Sequence, residues 1–215
     1  MADVQQSLSE RTLALYESDP IVGIELLPPI VFEKFEIEET HHAASVLYTD
    51  FRAEWDDLVG MLSSFVLCKS DILKPGGGRS PISIKIDRFF LDRGWSKHKF
   101  KIEVSADGVK TLTPTHEVDN YRNRVAVETE WNNKDPFYDR DLTTFRLLFE
   151  LNVLSIGIIV TRATELQETF RTLGKIYGKA STQMDKLRPK LRNRASGGCP
   201  VLAFGIRNAA YDPDL

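Results

Sequence analysis

Cysteine is scarce: the chain has two, Cys68 and Cys199, in 215 residues. Two thiols cannot build a disulfide framework or a cysteine-rich zinc site. There are four histidines, and the adjacent pair His41 and His42 lacks zinc-ligand spacing. No apolar run approaches the roughly 18 residues of a membrane-spanning helix. The opening "MADVQQSLSERT" has no apolar signal core. A reduced, cytoplasmic protein is therefore expected. Repeats and low-complexity tracts are absent. The three glycines of "KPGGGRSP" (74–81) lack the Gly-Lys-Ser/Thr of a phosphate-binding loop, so a flexible loop is expected there.

Net charge is also modest, at −3, but it is unevenly distributed. Residues 1–70 carry 13 acidic and 4 basic side chains, whereas 71–215 carry 18 and 24. The stretch 171–194 has eight Lys/Arg and one acid, Asp185. Such a stripe either tracks phosphates or forms a solvated helix face.

Apolar residues make up 42% of the chain, enough for a buried core. A short helix around 7–17, followed by "SDP" and "LLPP", sets 1–29 apart as an N-terminal extension. Residues 30–215 then form a single domain. "VFEKFEIEE" (31–39) alternates like a strand. Phe51, Trp55, Leu58, Leu62 and Phe65 have helical spacing, with Thr49 or Asp50 as N-cap. Ser80-Pro81 opens a helix that carries Ile82, Ile86, Phe89 and Phe90 and stops near Gly94. "KFKIEVS" is a strand and "ADGVK" a turn. "RVAVETEW" is a strand, "DLTTFRLLFELNVL" a helix, "SIGIIVT" a buried strand, "ATELQETFRTLGKIYG" helical, and "PVLAFGI" the last buried strand. This order predicts an α/β fold with a central mixed sheet flanked by helices.

The segment "VDNYRNRVAVETEW" holds the chemistry. Glu128 and Glu130 are two apart and share a strand face beside apolar neighbours. Like charges held that close oppose each other. Asp119, nine residues before Glu128, can converge on the same point. A hard cation such as Mg²⁺ takes one or two carboxylates, and it would offset the repulsion between Asp119 and Glu128. Glu130 would then orient or deprotonate a water. The bland reading is a solvated edge strand.

Taken in order, Asp119 through "RVAVETEW", "FRLLFELNVLSIGIIVT" and "PVLAFGI" resemble type II restriction endonucleases of the BglII/BstYI/BamHI group. "SPISIKIDRFFLDRGW" is similar to the segment preceding the active site in the BglII and BstYI members, and "FGIRNAAY" to the BamHI end. The resemblance spans about 31–211. It implies a PD-(D/E)XK restriction-endonuclease-like core acting as a homodimer on a palindromic duplex. Asp119 and Glu128 would bind Mg²⁺. The third position, Gln in BglII and BstYI, is Glu130 here, as in BamHI. The superfamily lysine is absent from this motif. The position three residues after the Trp, which contacts the attacking water in BglII, is His98 here, and it would bridge or activate that water.

The resemblance also assigns DNA contacts. Asn132, Asn133 and Lys134 would enter the major groove, although "NNKD" is equally turn chemistry. Arg171, Thr172 and Lys175 fall in a second reading loop. Arg188 and Arg192, in the basic run 186–194, would touch phosphates. The "DLTTFRLLFELNVL" helix would form the dimer surface, and the acidic N-terminal half would face away from DNA. A cognate DNA methyltransferase is expected to protect host DNA without forming a stable complex. Two other readings stay open. One is a catalytically inert DNA-binding protein on the same fold. The other is a glycosidase-like carboxylate hydrolase, which would leave the basic stripe unexplained. Steep weakening of binding with salt would favour DNA over a sugar ligand.

Overall fold

The structure is a computed structural model that describes residues 23–74, 78–175 and 181–215. Eight strands are present among them: β1 (Phe35–Thr40), β2 (Leu67–Cys68), β3 (Ser96–Ala106), β4 (Val109–Arg122), β5 (Val125–Thr129), β6 (Ile156–Arg162), β7 (Val201–Ile206) and β8 (Tyr211–Asp212). The helices are α1 (Pro29–Lys34), α2 (Ala43–Asp50), α3 (Arg52–Ser64), α4 (Lys69–Leu73), α5 (Pro81–Leu91), α6 (Pro136–Glu150), α7 (Leu166–Thr172) and α8 (Met184–Arg192). Six strands form one mixed sheet in the order β1-β7-β6-β5-β4-β3. Neighbours β5, β6 and β7 run parallel, and the other pairings are antiparallel. β2 and β8 make a separate parallel pair.

Every residue of β5, β6 and β7 is buried, because helices cover both sheet faces. Alternate positions feed two cores. Val125, Val127, Ile158 and Phe204 join Leu58, Leu62, Ile86 and Phe90 on one face. Ala126, Ile159 and Ala203 join Leu142, Phe145, Leu148 and Leu187 on the other. Gly157 lets α6 lie against β6, since a β-carbon there would sit inside van der Waals contact of the Phe145 ring.

Three boundaries differ from the sequence pattern. The expected strand 31–39 is helical up to Lys34, because Pro29 at the first helical position has its backbone set for a helix. Strand β1 starts at Phe35, where pairing with Ile206 begins. The expected helix over 49–65 is two helices that break at Phe51, whose φ of −133° and ψ of 54° are not helical, and Phe51 rather than Thr49 or Asp50 is the N-cap of α3. Helix α6 begins at Pro136, five residues before the expected Asp141, and ends before Asn152, whose φ is +58°. Ser80 does cap α5, accepting from the Ser83 N–H at 3.0 Å. The "ADG" turn carries positive φ at Asp107 and Gly108, as a two-residue hairpin requires.

Leu27 joins the core, following a 3-10 turn over Gly23–Leu26. The stretch expected to be helical over 163–178 is helix only over Leu166–Thr172, and its end, with the helix expected at 7–17 and the centre of the glycine loop, 75–77, lies outside the described residues. No helix among the described residues is long and apolar enough to cross a membrane.

Candidate active site

Strands β4 and β5 are paired only from Asn120↔Val127 to Arg122↔Val125. Beyond that they part, and the fork between them is filled with carboxylates. Two β-bulges on β4 set this up. Ser96 pairs with Tyr121 and His98 with Val118, so Asp119 and Asn120 together oppose Lys97. Lys99 pairs with Glu117 and Lys101 with Pro114, so Thr115 and His116 together oppose Phe100. An extra residue re-aims the side chains around it. The first bulge turns Asp119 into the fork. The second belongs to the stretch that brings His116 against Glu128.

At the fork the Asp119 N–H donates to Glu128 Oε2 at 3.3 Å, and Asp119 Oδ2 accepts from the Thr129 N–H at 3.5 Å. Glu130 continues past the end of β5, its N–H bonded to the Val160 carbonyl at 2.9 Å. Its carboxylate accepts from Asn133 Nδ2 at 2.6 Å and from the Arg140 guanidinium at 3.1 Å. Asp141, from the second turn of α6, accepts from Arg140 at 2.8 and 3.0 Å. His116 lies 2.8 Å from Glu128 and 3.4 Å from Asp141, and its other nitrogen is 3.0 Å from the Thr144 hydroxyl. On the solvent side, Lys97 reaches Asp119 at 3.2 Å and Arg79 stands 4.0 Å from it.

Glu128, Glu130 and Asp141 are all but fully buried, at 1%, 2% and 0% exposure. Burial, then the Asp141 and Asp119 charges, pushes Glu128 well above the usual carboxylate range. Burial and Asp141 raise Glu130 to about 8. Asp141 rises to about 6 through burial, against the pull of Arg140. Burial and the Arg140 charge lower His116 to about 4, so the ring is neutral at neutral pH. Carboxylates pushed toward neutrality in a cleft are the electrostatic signature of a functional site. The cleft has a volume of about 450 Å³; Asp119, Glu128, Glu130, Asn132 and Arg140 line it, and Arg79 stands at its edge.

This fork of acids beside a bulged strand sits inside a recognisable stretch of chain. Residues 35–206, from the first residue of β1 to the last of β7, match the family described as restriction endonuclease BglII/BglIII. The chain belongs to that family. No individual curated protein matches it. BglII/BglIII-family membership makes it a restriction endonuclease, a nuclease acting on DNA, with an α/β restriction-endonuclease-like core. Enzymes of this family generally need a divalent metal.

Within the BglII/BglIII-type core, Asp119, Glu128 and Glu130 all line this cleft. His98 does not join them. It is exposed, and its ring packs on Phe100 and Tyr121, with centroids 4.4 and 5.3 Å away. The neighbouring Lys97 points to the fork instead. Asn132 lines the cleft in a left-handed conformation, at φ +56°. Asn133 lines it too, but its amide is engaged by Glu130. Lys134 is exposed and bridges to Ser181. Arg171, Thr172 and Lys175 do not line the cleft, although Lys175 comes next to it. Arg171 faces Glu168, Thr172 bonds the Thr169 carbonyl, and Lys175 bonds the carbonyl of Leu73, beside the rim residues Ile72 and Lys74. Arg188 pairs with Glu36 and Glu38, and Arg192 with Glu38. These two therefore lie at β1, the opposite sheet edge from the fork, where the acidic run meets their charge.

Sequence reasoning missed His116, Arg140, Asp141, Lys97 and Arg79. Asp141 was hidden because "DLTT" reads as a helix N-cap, which made it look like a boundary rather than a buried position. For His116 the sequence carries no comparable signal, because a bulge leaves no trace in residue pattern.

Proposed function

We propose that this family member is a type II restriction endonuclease that hydrolyses phosphodiesters of double-stranded DNA at a short palindromic site, as a Mg²⁺-dependent homodimer. The carrying observation is the open fork in which Asp119 and Glu128 face one another with Glu130 alongside. The donor set fits a hard dication. It is all oxygen, two carboxylates are the usual protein share for Mg²⁺, and the raised state of Glu128 is what a cation would relieve. Asp119 and Glu128 would hold the ion. When bound, it polarises a phosphate oxygen and lowers the pKa of water at the site.

The chain's own groups do the rest. Glu130, raised to about 8 and oriented by Asn133 and Arg140, takes the proton of the attacking water. The new bond joins the water oxygen to phosphorus, the ester P–O bond opposite it breaks, and the departing sugar oxygen takes a proton from solvent. Lys97, held at Asp119, and Arg79, paired with Asp87 and 4.0 Å from Asp119, face the phosphate as charge on the cleft wall. Asn132 and Lys134 are the base-edge candidates, whereas Asn133 orients Glu130. Exposed Leu151, just past the C-terminal end of α6, supports use of this helix as the dimer surface. A duplex palindrome matches that two-fold arrangement.

Digestion of sequenced plasmid and phage DNA tests this, with Mg²⁺, with EDTA, and with Glu128→Ala. Discrete fragments that need Mg²⁺ and vanish in the variant are expected. Wild-type protein that binds duplex but leaves every DNA uncut would turn the reading into a binding protein on a nuclease fold.

A further inference from the structure

We propose that His116 is a positioning residue of the nuclease site. Its imidazole, braced by Thr144, holds one Glu128 oxygen so that the other stays turned toward Asp119. This inference rests on the proposed reading of Asp119 and Glu128 as the cation-holding pair.

The geometry is a three-element chain. Nδ1 lies 3.0 Å from Thr144 Oγ1 on α6, and Nε2 lies 2.8 Å from Glu128 Oε1 on β5, while the ring comes from the second bulge of β4. Holding a cation requires Glu128 to be ionised, and an ionised carboxylate only accepts hydrogen bonds, so in that state Nε2 carries the hydrogen and donates. Nδ1 is then the acceptor, and the Thr144 hydroxyl donates to it. With both nitrogens engaged, the ring cannot turn without losing a bond. Glu128 Oε1 is thereby held, and Oε2 remains beside Asp119, where it accepts the Asp119 N–H at 3.3 Å. A carboxylate that must keep a fixed direction in a nearly dry site needs such a partner. Second-layer hydrogen bonds of this kind orient metal-holding carboxylates and tune their affinity.

His116 also has the alternative of being a ligand itself. His116, Glu128 and Asp141 each offer a ligand atom, and these lie within 4.8 Å of one another. Two contacts decide against it. The Asp141 oxygen nearest the ring, at 3.4 Å, already accepts both Arg140 hydrogen bonds. The guanidinium therefore supplies at this point the positive charge that a second cation would bring. Arg140 thus occupies the Asp141 oxygen that faces the ring, and the ring, bonded to Thr144 and Glu128, orients Glu128.

Two close-sized substitutions separate orientation from space-filling. In His116→Gln an amide N–H can reach the place of Nε2. In His116→Asn the amide reaches only the place of Nδ1. The measurement is Mn²⁺ binding to the full chain without DNA, with free ion counted by electron paramagnetic resonance. Circular dichroism confirms folding. Loss of a second-layer partner should raise the half-saturating Mn²⁺ concentration of His116→Asn by about 10- to 100-fold, with His116→Gln staying within about threefold of wild type. The number of ions bound at saturation should not change. If His116→Asn does not fold, Thr144→Val serves instead, with an expected rise of roughly threefold or more.

Wild-type binding in both histidine variants would overturn the proposal, as would equal weakening in both. Loss of a whole bound ion would also overturn it, by making the ring a ligand. Glu128→Gln marks the boundary with the underlying reading. If it abolishes binding while the His116 variants are indifferent, only this inference fails. If wild-type protein binds no ion, both fail together.

Discussion

Raising the pH of the metal-free protein from 6.5 to 8 should destabilise it, and the buried fork sets the size of the effect. A carboxylate whose folded pKa lies above its unfolded value gives stability that is complete at low pH and is lost as pH rises through the folded pKa. Glu130 goes from 4.5 unfolded to about 8 folded. His116 works in the opposite direction, because its pKa falls from 6.5 to about 4; the unfolded ring is still half-protonated at pH 6.5, so it returns about 0.4 kcal/mol across the window. Asp141, raised to about 6, has largely released its proton by then. The glutamates therefore dominate the window from 6.5 to 8. One proton released at up to about 1.4 kcal/mol per pH unit, tapering as Glu130 ionises, amounts to about 1.5 kcal/mol. Glu128, raised in the same direction, adds to the loss. Urea unfolding in EDTA at several pH values reads this directly. Glu130→Gln should flatten the slope, and saturating Ca²⁺ should remove most of it. A stability that is flat or rising between pH 6.5 and 8 would refute the buried-charge account of the fork.

Three further outcomes are expected. Gly157→Ala should cost about 1–3 kcal/mol in urea unfolding, because the added methyl meets the Phe145 ring and α6 must move. In single-turnover cleavage, Lys97→Met should slow the reaction by roughly 10-fold or more through loss of a charge at the phosphate, whereas His98→Ala should stay within about twofold. Equal effects would contradict the assignment of Lys97 to the fork. Under native conditions at pH 8, iodoacetamide followed by mass spectrometry should modify half-buried Cys68 and spare Cys199, whose thiol is buried and pushed up to about 12.

The parts of the fold that could be read in advance are those with a sharp local signature. The β5, β6 and β7 runs are apolar throughout because helices cover both faces of the sheet, and "ADG" carries the two positive-φ residues of its turn. Ser80-Pro81 names a helix start outright. The errors have physical causes as well. "VFEK" alternates like a strand, but Pro29 commits it to helix. Phe51 breaks a periodic helical stretch without any Gly or Pro to announce it. At the site, Asp119, Glu128 and Glu130 were legible because their spacing survives in the sequence. His116 and Lys97 were not, since register shifts on β4 decide which side chains meet the fork. Arg188 and Arg192 looked like phosphate contacts because the acidic run Glu36–Glu38 lies some 150 positions earlier, and only the fold brings the two runs together.

The central claim is that the fork cuts DNA rather than merely holding it. The most direct test measures binding and single-turnover cleavage side by side, on one duplex carrying a mapped cut site, for wild type and Glu128→Gln. Binding in Ca²⁺ should stay within about tenfold, and cleavage in Mg²⁺ should fall by at least roughly a thousandfold. A variant that still cuts at close to the wild-type rate would contradict the claim.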